Sequence, residues 1–125
     1  MATHVMWGNP DKTLIYVILE GRWDWRDFYR AAGEVTNLMV TVPHRVNIIL
    51  DLRRSRRTPS DFPFHAAQPS FHRRNVGSVI VVQRDTSAFP HFLRPSRFRQ
   101  PPEYGNVVYA RSLNEAHALI NHRPA

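Results

Sequence analysis

A nearly unbroken apolar run, Val46-Asn47-Ile48-Ile49-Leu50-Asp51-Leu52, leads straight into Arg53-Arg54-Ser55-Arg56-Arg57. A short run rich in β-branched residues and bounded by polar clusters reads as a strand buried on both faces. Such strands belong to the middle of a sheet that is at least partly parallel. The arginines then sit at its carboxyl end, where open α/β sheets leave crevices for ligands and partners.

The remaining elements fall in place around this strand. Val5-Met6-Trp7 is a short first strand, and Gly8-Asn9-Pro10-Asp11 a turn. Thr13 to Glu20 is a second strand, apolar on both faces and hence internal, and the short, turn-rich connection makes the opening pair an antiparallel hairpin. Gly21 ends it, and Asp24 caps a helix whose first turn carries Asp27. Trp25, Phe28, Ala32, Val35, Met39 and Val42 form one apolar stripe at helical spacing, and Pro43 stops the helix. Ser60 to Pro69 reads as a short helix, Val76 to Val82 as a strand, and Ser87 to about Arg99 as partly helical. Asn106 to Ala110 is a last strand. Ser112-Leu113-Asn114-Glu115 is a capping box that opens a final helix through Asn121.

The order β-β-α-β-α-β-α-β-α predicts an α/β fold with a mixed, mostly parallel sheet, right-handed crossovers and helices mainly on one face. A chain of 125 residues is one domain, 1–125, large enough for a core without staples. It has no cysteine, hence no disulfide and no thiolate metal site. No apolar stretch approaches the ~20 residues that cross a bilayer. The first residues, Met1-Ala2-Thr3-His4, carry no signal pattern, so the expectation is a cytoplasmic protein without a membrane role.

The element order, the strand closing on Asp51-Leu52 and the capped last helix resemble the STAS domains, the sulfate-transporter and anti-sigma-factor-antagonist modules that include the SpoIIAA-like group. Gly21-Arg22-Trp23-Asp24-Trp25-Arg26-Asp27-Phe28-Tyr29 looks like the glycine-then-helix entry of small bacterial STAS-like proteins. Val107-Val108-Tyr109-Ala110-Arg111-Ser112-Leu113-Asn114-Glu115-Ala116 looks like that family's final strand and helix. The resemblance implies a non-enzymatic regulatory module that binds a partner protein. In antagonist members a phosphorylatable serine opens the second helix inside Asp-Ser-x-Gly. The matching stretch here is Thr58-Pro59-Ser60-Asp61, which makes Ser60 the candidate phosphosite, without the preceding acid or the glycine.

The charge points to the same loop. The net charge is +7, and residues 45–74 hold Arg45, Arg53, Arg54, Arg56, Arg57, Arg73 and Arg74 against Asp51 and Asp61, which is 7 − 2 = +5 of it. Four arginines in five residues repel one another, a cost that a purely structural loop avoids. A positive face of this kind attracts acidic proteins, phosphates or nucleic acid. The candidate partner site is therefore Arg53, Arg54, Ser55, Arg56 and Arg57, with Arg73 and Arg74 at the same edge or at the opposite end of the next strand. Its expected occupant is a protein partner or an anionic ligand, with nothing in the chain neutralising the cluster.

The alternative is a nucleic-acid-binding domain that uses the same arginines, with Phe62, Phe64 and Phe71 as stacking platforms. No recognition-helix or ribonucleoprotein signature accompanies them. The seven histidines, among them His44, His65, His72, His91, His117 and His122, are scattered without metal-ligand spacing, and His117 is placed at the surface. Asp51 beside arginines is a poor proton acceptor and a better orienting group for the loop. Neither a nucleophile elbow nor a phosphate loop or dinucleotide fingerprint occurs, so no catalytic residue, cofactor or metal is assigned. Trp25 belongs to the core stripe. Trp23 covers a sheet edge or lies in an oligomer contact, and self-association of the chain stays open.

Overall fold

Strands β2 (Leu14–Leu19) and β3 (Val46–Asp51) pair in parallel, with Ile15 opposite Ile48 and Val17 opposite Leu50. Around them the computed structural model, which describes residues 3–56, 75–83 and 107–121, builds one five-stranded sheet in the order β1-β2-β3-β4-β5. β1 (Thr3–Trp7) runs antiparallel to β2, whereas β4 (Val76–Val82) and β5 (Val107–Ala110) continue in parallel. The fold is α/β with a mixed, mostly parallel sheet. The two helices expected at Ser60–Pro69 and from Ser87 lie outside the described residues.

β3 reads as an apolar run because both of its faces are covered. Val46, Ile48, Leu50 and Leu52 join one apolar cluster, and Ile49 joins the other. The register slips once between β3 and β4, between Val46 and Ile48. There the Asn47 side-chain oxygen accepts the Ser78 amide at 2.9 Å, which satisfies a backbone group displaced by the irregularity.

Helix α1 (Trp25–Met39) forms as its spacing predicts, with Phe28, Ala31, Ala32, Val35 and Met39 buried. Asp24 caps it: its carboxylate accepts the Asp27 amide at 2.9 Å, and Asp27 returns the bond to the Asp24 amide at 3.0 Å. The Asp27 backbone bond, a stronger effect here than the weak desolvation, holds the Asp24 carboxyl below the usual carboxylate range. At the other end, the Asn75 side chain donates to the carbonyls of Val42 and His44, at 3.3 and 3.1 Å, and so ties the α1–β3 connection to β4. Helix α2 (Leu113–Asn121) opens on Ser112, whose hydroxyl accepts the Glu115 amide at 3.0 Å. The capping box is only half reciprocal, because Glu115 accepts from Arg111 instead of Ser112.

The two described helices do not share a face. α1 packs with Ile15, Val17, Leu19, Ile48 and Leu50, whereas α2 packs with Leu14, Ile49, Ile80, Val82 and Ala110. Side chains alternate along each strand, so these clusters are the two sides of the sheet. The expectation of helices mainly on one face concerned four helices, of which these two lie on opposite faces and the other two lie outside the described residues. Sequence periodicity shows that α2 has an apolar side (Leu113, Ala116, Leu119, Ile120) but not which layer it covers.

Candidate functional site

The site lies at the carboxyl end of β3. Asp51 is the last residue of that strand and is buried, facing the side that α2 partly covers. Its carboxylate would be costly there without partners. Among the described residues three donors meet it, all from Arg53: the backbone N–H and Nε at 3.0 Å to Oδ1, and Nη2 at 2.9 Å to Oδ2. This is a bidentate fork. The hydrogen bonds to Asp51 raise the Arg53 guanidinium pKa further above its already high range, against a smaller desolvation effect. Arg53 is thus fixed in direction while a third of its side chain stays exposed (33 %).

Residues 54–56 are held as well. Gly21, at the end of β2, brackets it: its N–H donates to the Arg54 carbonyl at 2.9 Å, and its own carbonyl accepts from the Arg56 N–H at 2.8 Å. Gly21 and Ser55 form an isolated parallel bridge, and the Ser55 N–H closes a turn onto Leu52. Gly21 has φ +60°, a left-handed conformation that explains glycine at this point. From below, the fully buried Trp23 donates its indole N–H to Ser55 Oγ at 2.7 Å. Trp23 is thus a core residue that supports the loop and not an edge cover. Its ring meets Trp25 edge-on at 5.2 Å, and Trp25, expected in the core, is only partly buried.

The arginines are not left without internal partners. Besides Arg53 on Asp51, Arg54 approaches Glu20 at 3.4 Å, and Glu20 also lies 3.6 Å from His4. This corrects the expectation that nothing neutralises the cluster. The two pairs differ in kind. The Asp51 carboxylate is buried, whereas the Arg54 side chain is 75 % exposed and meets Glu20 through one long contact. Arg56 is exposed. Arg57, Arg73, Arg74, Ser60, Phe62, Phe64 and Phe71 lie outside the described residues.

The structure adds a pair that sequence reasoning placed wrongly or not at all. His117 on α2 is half-buried, and its Nε2 lies 2.7 Å from the Tyr16 hydroxyl on β2. The rings meet edge to face, 6.0 Å apart. Burial pushes the Tyr16 hydroxyl pKa up, the nearby Arg53 charge pulls it down, and Asp51 adds a smaller upward effect. Tyr16, Ile18 and Glu20 share the strand parity that faces α2, as do Ile49 and Asp51 on β3. That parity was available in the sequence and would have grouped Tyr16, Glu20 and Asp51 on one side. Among the described residues, no group of three or more His, Cys, Asp or Glu is arranged to hold a metal ion. No described helix is long and apolar enough to cross a membrane.

Compared with family models, curated proteins and solved structures, the chain matches none.

Proposed function

We propose that this chain is a non-enzymatic, STAS-like (SpoIIAA-like) regulatory or scaffolding module of the cytoplasm that docks an anionic protein partner through the loop after β3. The observation that supports this reading is the contrast between the loop's anchoring and its outer surface. Its backbone is bonded to Gly21 on both sides, Ser55 is held by a buried indole, and Arg53 is forked onto a buried carboxylate. Arg54 and Arg56 nevertheless point their charge to solvent. A loop fixed before binding loses little conformational freedom on docking, which favours affinity without large buried area. The long Arg54–Glu20 contact costs little to exchange for a partner carboxylate, since exposed pairs are worth about 0–1 kcal/mol.

The test is binding of a poly-glutamate peptide, a generic DNA duplex and a single-stranded RNA, each over a salt series. The wild-type chain binds the peptide, and the double variant Arg54→Ser, Arg56→Ser loses that binding with its melting temperature nearly unchanged. Tight nucleic-acid binding that weakens steeply with salt, and is lost in the same variant, would replace this reading with a nucleic-acid interface. Unfolding of the variant would make the loop a structural element.

A further inference from the structure

At the far side of β2 the sheet ends in β1, whose outer edge carries no strand among the described residues. The Gly8 N–H donates to the Leu14 carbonyl, in phase with the pairs Met6–Tyr16 and His4–Ile18. In an antiparallel ladder this phase turns the backbone of His4 and Met6 toward β2 and that of Thr3, Val5 and Trp7 outward. Each of those three residues therefore presents an N–H and a C=O along the edge, and no described residue bonds to them. Sheets usually guard such an edge with proline, lysine, a bulge or an inward charge. Thr3-His4-Val5-Met6-Trp7 contains no proline, lysine or acid, and its register with β2 is unbroken. Met6, on the face shared with Tyr16, is 43 % exposed.

From this edge we infer that the chain forms a two-fold dimer in which β1 pairs antiparallel with β1 of a second copy, making one continuous sheet. The occupant is a second copy because the edge is complementary to itself. With the axis at Val5, Thr3 faces Trp7 of the second copy and Val5 faces Val5, and all of them are residues with outward backbone groups. The intervening positions set Met6 against His4 of the second copy, which covers the exposed thioether. No charged side chain is placed opposite another of its sign. The two-fold makes the contact isologous, so it closes on itself and leaves no β1 edge for further growth. This dimer is independent of the arginine loop.

The test is the mass of the full 14.6 kDa chain by sedimentation equilibrium over a concentration series. The expected result is a rise to twice the monomer mass. Val5→Pro deletes an outward N–H and spares the ladder to β2, since edge strands accept proline there. It holds the chain at monomer mass, as does Met6→Lys, which puts a charge on the edge. Wild-type hydrogen exchange provides a reading that needs no variant: the Val5 and Trp7 amides become protected as concentration rises. A monomer at every concentration overturns the inference, and so does a dimer that both variants leave intact. Protection of those amides that does not follow concentration also overturns it.

Discussion

The indole N–H of Trp23 reaches the hydroxyl of Ser55, 32 positions later in the chain, at 2.7 Å. This bond joins the entry of α1 to the arginine loop, so the loop inherits the rigidity of the core beneath it. Ser55→Ala removes the acceptor. The expected cost is about 1 kcal/mol of unfolding free energy, the usual value for one internal hydrogen bond. Chemical denaturation measures it, and a change in tryptophan fluorescence reports the altered indole. An unchanged midpoint would mean that the bond does not anchor the loop.

Asp51→Asn keeps an acceptor for the Arg53 backbone N–H and removes the charge opposite the guanidinium. Breaking a fully buried pair costs about 3–5 kcal/mol. Arg53 is one-third exposed, and solvent takes up part of its charge. The expected loss is therefore smaller, about 2 kcal/mol, again read from the denaturation midpoint. A larger loss would mark Asp51 as a keystone of the sheet, and none at all would detach it from the loop.

Gly21→Ala isolates the backbone contribution. Nothing lies within 4 Å of the position a Cβ would take, so no clash accompanies the change. The left-handed φ of +60° remains, at an expected cost of about 1–2 kcal/mol. Gly21→Asn, which tolerates that conformation better, recovers part of the loss. Equal destabilisation by both substitutions would point away from φ as the cause.

Tyr16 gives the fold an alkaline limit. Burial raises its hydroxyl pKa above the ordinary 10.0, so the folded state holds this proton more tightly than the unfolded chain. That contribution is fully present below pH 10 and is lost as pH rises through the folded-state value. Melting temperatures of the wild type should fall more steeply above pH 10 than those of Tyr16→Phe. The variant should also lose about 1 kcal/mol at neutral pH with the His117 contact. Parallel alkaline limbs would show that Tyr16 does not set them.

The elements were legible because their signals are local. The run from Val46 to Leu52 marks a strand covered on both sides, and the stripe from Phe28 to Met39 marks one buried helix face. Asp24 and Ser112 mark helix starts through bonds to residues three positions away. What escaped depends on contacts distant in sequence. Tyr16 and His117 are 101 positions apart, and no periodicity states that α2 crosses to the face opposite α1. Glu20 beside Arg54 depends on β2 and the loop meeting, which the Gly21–Ser55 bridge and the Gly21 backbone bonds to Arg54 and Arg56 establish. The candidate loop is marked by its charge, and Asp51 as its orienting carboxylate by adjacency; Glu20 is not, because charge counting carries no directions.

The antiparallel sense of β1 has a practical consequence for anyone handling the molecule. Thr3 pairs with Leu19, so the strand begins at the same rim where β2 ends and Arg54 meets Glu20. Any polypeptide joined ahead of Thr3, such as a purification tag or a reporter, therefore emerges beside the basic loop and shades it.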